Sequence, residues 1–184
     1  MQKSCSENSK SSSRGLIIVF TGNGKGKTTA ALGTALRAAG YGMRTLVLQF
    51  IKNQESGEHK ACHLLHPFLE IVRCGAGFVV EGKGDFQIHV EAARKGLNLA
   101  REKITSGQYE IVILDEIFVA LSLGLINLED LLLLISLKPE SLHLILTGRD
   151  APQEIIEIAD TVSEIKEIKH AFRFGVTAQK GIEF

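Results

Sequence analysis

The stretch from Leu16 to Thr29, LIIVFTGNGKGKTT, constrains what this chain can fold into more than any other. An apolar run, Leu16 to Phe20, breaks into a glycine-rich loop, Thr21 to Gly26, and closes on Lys27 and Thr28 before an alanine-rich segment. Strand, loop, lysine, hydroxyl and helix in that order describe a phosphate cradle. Glycines let backbone N–H groups turn toward an anion, Lys27 adds a point charge, and Thr28 offers a hydroxyl to Mg²⁺. Counting back from Gly26 puts Thr21 where the strict pattern has its first glycine, with Gly22 one place late. The plain alternative is a glycine turn that merely joins strand to helix; the strand before and the helix after favour the cradle. A dinucleotide-binding GxGxxG does not fit, because it lacks the Lys-Thr ending and expects glycine at the place of Lys27.

The length of 184 residues suits one domain with a sizeable core. Its 21 basic residues balance 21 acidic ones, which argues against a nucleic-acid binder relying on bulk charge. No apolar run approaches the ~20 residues of a membrane span. Residues 1–14, MQKSCSENSKSSSR, read as a flexible serine-rich tail with no apolar core and so no secretory signal; residues 15–184 read as a single domain. Cys5, Cys62 and Cys74 are odd in number and without paired spacing, which points to free thiols in a reducing cytoplasm. His59, Cys62, His63 and His66 could bind a metal, but no second ligand pair is in sight and EHKACHLLHPF fits an ordinary amphipathic turn or short helix just as well.

Further strands are predicted over Thr45–Ile51, Leu69–Arg73, Tyr109–Leu114, Ser141–Leu146 and Thr161–Ile168, the last alternating in character and therefore at an edge. Helices are predicted from Thr29 to about Ala39, from an Asp85 cap to about Ile104, in two pieces after Glu116 with Asn127 capping the second, and after Pro152. The apolar run Leu131–Ile135 is expected to be core. Six strands interleaved with helices give an α/β fold, a mostly parallel sheet with helices on both faces. The fourth strand ends in Asp115-Glu116, a candidate second nucleotide motif holding Mg²⁺; the alternative is an aspartate capping a helix. Arg149, just past the fifth strand, could meet phosphate or form a surface ion pair. The loop CGAGFVVEGKGD carries Phe78, Val79 and Val80, either folded under as core or kept for an apolar ligand.

The segments VFTGNGKGKTTAA at 19–31, VLQFIK at 47–52, ILDEI at 113–117, LTGRDAP at 146–152, IADTVSEIKEIKHAF at 158–172 and AQKGIEF at 178–184 together resemble one family, the P-loop corrinoid adenosyltransferases. The resemblance covers nearly the whole chain after the serine-rich tail. It implies a RecA-like fold, usually homodimeric, that makes adenosylcobalamin from ATP and cob(I)alamin or a precursor such as cob(I)yrinic acid a,c-diamide. The ATP phosphates would then meet Gly22, Asn23, Gly24, Lys25, Gly26, Lys27, Thr28 and Thr29, with Thr28, Glu116 and Asp115 serving Mg²⁺. Phe78 matches a family aromatic that displaces the lower axial ligand of the corrinoid, and an electron donor such as a flavoprotein reductase would supply Co(I). Many members carry tryptophan two residues beyond that aromatic; here the position is Val80, and the chain has no tryptophan. On the cradle and acid pair alone, a phosphotransferase or ATPase using Glu116 is the alternative, and a non-catalytic corrinoid carrier is a third.

Overall fold

The structure is a computed structural model that describes residues 14–77 and 86–184. Phe78, Val79, Val80 and Asp85 lie outside the described residues. Six strands, β1 (Ile17–Thr21), β2 (Thr45–Gln49), β3 (Leu69–Arg73), β4 (Ile111–Asp115), β5 (His143–Thr147) and β6 (Thr161–Glu164), form one sheet in the order β3-β2-β4-β5-β1-β6. Every pairing in it is parallel. The helices are α1 (Lys27–Ala39), α2 (Gly57–Cys62), α3 (Phe86–Thr105), α4 (Ile117–Ser122), α5 (Leu128–Ser136) and α6 (Gln153–Ile158).

Both faces of the sheet are covered, as the near-continuous apolar strands require. β2 and β4 are buried at every residue. Alternation along the strands sends Leu46, Leu48, Val112, Leu114, Leu144 and Leu146 toward α3 and α5, where Ala93, Leu97, Ala100, Leu131 and Leu134 pack against them. Val47, Ile111, Ile113 and Ile145 face Ala31, Ala35 and Ala38 of α1 on the other side. The small alanines let α1 lie close to the strands and set the loop at its N-terminus directly over the sheet edge.

Element types agree with expectation, and the differences lie at the ends. Asn127 caps α5 as expected, its side chain accepting the Asp130 N–H at 2.7 Å. The run Leu131–Ile135 is not core throughout: Leu131, Leu134 and Ile135 are buried, whereas helical periodicity turns Leu133 outward, 52% exposed. β6 is an edge strand but stops at Glu164 rather than Ile168, because beyond it the main chain serves the glycine loop: Ile165 donates to the Thr21 carbonyl and accepts the Gly24 N–H at 2.7 Å. His59 is buried in a capping box, its Nδ1 accepting the Ser56 N–H at 3.1 Å, and Cys62 Sγ donates back to the His59 carbonyl. That segment is an ordinary capped helix. Among the described residues, no helix is long and apolar enough to cross a membrane.

The strand order decides where chemistry can happen. β5 lies between β1 and β4, so the loop leaving β1 and the acid pair leaving β4 flank the carboxyl end of β5. In an open parallel sheet this edge is where ligands bind.

Candidate active site

The loop from β1 to α1 is moulded on the backbone that follows β6. Gly22 has φ of 95°, and a Cβ there would lie 2.5 Å from the Ile165 carbonyl oxygen. A Cβ on Gly24 would lie 2.8 Å from the same oxygen. Only glycine permits this approach. Asn23 Oδ1 accepts the Glu167 N–H at 3.0 Å and fastens the loop further. Thr21 belongs to the strand rather than the loop, and its hydroxyl accepts the Ala151 N–H at 3.1 Å. The absence of glycine at that position therefore costs the loop nothing.

Lys27 opens α1 yet is only 6% exposed, and its Nζ donates to the Gly24 carbonyl at 2.9 Å. Burial pulls its pKa below the usual lysine value; Glu116 opposes that shift and Arg149 adds to it. The Asp115 carboxylate, 1% exposed, is gripped from three sides. Its Oδ1 accepts the Thr28 and Thr147 hydroxyls, each at 2.8 Å, and its Oδ2 accepts Gln49 Nε2 at 3.1 Å. Asp115 is thus the last residue of β4 and not a helix cap. Glu116 occupies the cap position of α4 with φ of 57°, a left-handed conformation that is uncommon outside glycine. Burial first, and the neighbouring Asp115 second, push its pKa above the ordinary glutamate value.

A cleft of about 760 Å³ opens above these groups. Asn23 through Thr29, Glu116 and Arg149 border it, while Gly22 and Asp115 lie behind its surface. Lys52, Gly57 and Glu58 form the wall beside β2. The C-terminal residues 181–184 cross to meet that wall. Lys25, a candidate phosphate charge, donates to the Ile182 carbonyl at 2.8 Å and lies 3.6 Å from Glu183. Sequence reasoning gave no role to Gln49 or Thr147, and placed Lys52 and Glu58 only within a polar segment, Lys52–Lys60, just past a strand end where ligand-binding loops sit. Gln49 carried a visible signal: it is the one amide in the apolar strand TLVLQFI. Thr147 carried none, because its importance depends on β5 lying between β1 and β4.

The family model described as "ATP:corrinoid adenosyltransferase BtuR/CobO/CobP" matches residues 13–184. The chain belongs to that family. The corrinoid adenosyltransferase of Escherichia coli K12 is 40% identical over 173 residues, spanning 93% of this chain and 86% of its own length. That of Pseudomonas aeruginosa is 39% identical over 174 residues, 93% of this chain and 84% of its own length. Corrinoid adenosyltransferase CobA of Salmonella typhimurium is 39% identical over 173 residues, 93% and 86%. Among solved structures, the KaiC-like protein PH0186 of Pyrococcus horikoshii superposes with a TM-score of 0.53 at 20% identity, covering 83% of this chain and 73% of that one. That last likeness is one of fold, and it places the sheet among the RecA-like P-loop folds. The activity that goes with the adenosyltransferase family is ATP:corrinoid adenosyl transfer, with ATP and a corrinoid as substrates.

Proposed function

We propose that this chain transfers the 5′-deoxyadenosyl group of ATP to the Co(I) of a corrinoid, cobalamin or a biosynthetic precursor, and releases triphosphate. The observation that carries this is the convergence of Lys27, Thr28, Glu116 and Arg149 on one cleft over a loop whose Gly22 and Gly24 leave no room for a Cβ. The cobalt electron pair forms the bond to C5′, the C5′–O bond breaks, and its electrons leave with triphosphate. No proton moves in that step, so no general base is required. The work of the protein is to hold nucleophile and carbon in line and to stabilise the departing charge. Lys27, the loop amides and Arg149 face where that charge would develop.

The Thr28 hydroxyl, the Asp115 carboxylate and the Glu116 carboxylate are hard oxygen donors, a set that fits Mg²⁺ held through one or two carboxylates and the phosphates themselves. Among the described residues, no three His, Cys, Asp or Glu side chains form a closed metal cage, which suits an ion that arrives with nucleotide. When bound, it would supply neutralisation of polyphosphate charge. Gly22 through Thr29 are read as the phosphate-binding segment. Phe78, with Val80 beside it, is read from the family resemblance as the apolar wedge that removes the lower axial ligand and eases reduction of Co(II).

In this reading residues 15–184 act as one domain, two copies form a homodimer, and a flavoprotein-type reductase delivers the electron. A cytoplasmic setting is supported by the free thiols of Cys62 and Cys74. The test is incubation with ATP, Mg²⁺ and chemically reduced cobalamin. Triphosphate together with a cobalt–carbon bond is expected; ADP without that bond would overturn the proposal.

A further inference from the structure

Thr28, in α1 after the glycine loop, and Lys52, just past β2, both border the cleft, and a continuous run of hydrogen bonds joins them. Thr28 Oγ1 donates to Asp115 Oδ1 at 2.8 Å. Asp115 Oδ2 accepts Gln49 Nε2 at 3.1 Å, and the same nitrogen donates to Glu58 Oε1 at 3.3 Å. Glu58 Oε1 in turn accepts Lys52 Nζ at 2.6 Å. The middle of this run is a single NH₂ group, 1% exposed, whose two hydrogens go to carboxylates from two different elements.

That arrangement has a cost. Gln49 Oε1 is buried without a hydrogen-bond partner in the structure, and an unpaired buried acceptor is destabilising. The amide is held this way because both groups in front of it are acceptors, which only its NH₂ end can serve. Two carboxylates that would repel one another are instead pinned to one neutral donor. The positive charge of Lys52 also reaches across to Glu116, where it favours the ionised form.

We propose that Gln49 is a positioning residue for adenosyl transfer. It yokes Asp115 to Glu58, so that the Thr28 hydroxyl beside the loop and the Lys52 ammonium past β2 are held at a fixed separation along the polyphosphate. This rests on the reading that triphosphate occupies the loop. Gln49 itself touches no substrate; it acts by keeping the Thr28 hydroxyl and the Lys52 ammonium in register.

The experiment is a double-mutant cycle with Gln49→Met, which keeps the volume and loses both donors, and Lys52→Met. It is read by calorimetric binding of ATP with Mg²⁺ in the absence of corrinoid, and by kcat and the KM for corrinoid in its presence. Each single variant is expected to weaken ATP binding about tenfold and to leave the corrinoid KM within about twofold. Together they should cost little more than either alone, because Lys52 is unmoored once the yoke is broken. Losses that multiply, or a lowered melting temperature with ATP affinity within twofold of wild type, would overturn the proposal. Should Gln49→Met fail to fold, Glu58→Ala cuts the same run at its partly exposed end and is expected to weaken ATP binding similarly; unchanged affinity there would overturn it equally. A wild-type protein that binds ATP but makes no cobalt–carbon bond would defeat the activity reading while leaving the binding cycle interpretable.

Discussion

The Lys27 ammonium is bound to the carbonyl of Gly24, three residues back in its own loop and 2.9 Å away. The cation is therefore curled over the space where an anion would lie, before any anion arrives. It is held there at the expense of its hydration, since burial is the main cause of its depressed pKa.

Replacing Lys27 by methionine should therefore separate function from stability. The kcat/KM for ATP is expected to fall by ~10²-fold or more, the scale of losing one preorganised charge contact. The nucleotide-free variant should melt no lower than wild type. A lysine with a depressed pKa is protonated less in the folded than in the unfolded chain between the depressed value and 10.5. Wild-type stability without nucleotide should rise with pH through that window, and the variant should lose this rise. Thermal melts from pH 7 to 10.5 check it; a rise of equal size in both proteins would refute it.

Glu116 carries the opposite sign. Its pKa lies above 4.5 because of burial and then Asp115, so the folded chain binds the proton more tightly. The resulting stability is complete below 4.5 and is lost as pH rises through the raised value. Glu116→Gln should flatten that decline and raise the melting temperature near neutrality, while weakening Mg²⁺-dependent turnover. Melting curves from pH 4 to 8 on both proteins decide the matter.

Two glycines near one another in sequence should behave oppositely. Gly24→Ala would drive a methyl to 2.8 Å from backbone atoms of Ile165 and Lys166, costing about 2–3 kcal/mol and lifting the loop off the backbone that follows β6. Gly33, exposed inside α1, has nothing within 4 Å of such a methyl, and Gly33→Ala should stabilise by about 0.5–1 kcal/mol. Denaturant unfolding of both variants, with ATP titrations, would show whether the loop moves as argued.

Phe78→Ala should slow the reaction starting from Co(II) far more than from chemically reduced Co(I). Equal losses from the two starting states, measured by the appearance of the cobalt–carbon bond, would remove Phe78 from its proposed role.

Much of this was legible in the chain because the central strands are apolar runs punctuated by glycine, proline or charge. Gly26-Lys27-Thr28 and Asp115-Glu116 could be found as patterns for the same reason. Strand ends were less legible. β6 stops at Glu164 because the loop after β1 competes for the backbone of Ile165, a contact between distant segments that no local pattern displays. Five apolar residues in a row at Leu131–Ile135 hid the helical periodicity that sends Leu133 outward. The roles of Gln49 and Thr147 depend on spatial strand order, which periodicity does not encode. Lys25, which the family resemblance sets against phosphate, borders the cleft, and its contacts with Ile182 and Glu183 join segments too distant in sequence for any local pattern to show.

The placing of β5 between β1 and β4 has one more effect. The loop and the acid pair belong to strands that never pair with each other, two interstrand steps or about 10 Å apart. Three side chains, Thr28, Asp115 and Thr147, close that gap. The aliphatic filling around Leu144 and Leu146 thus serves as the ruler for the chemistry above it. A cavity opened there should first be felt as mis-spaced reactants, in an enzyme whose sheet still holds.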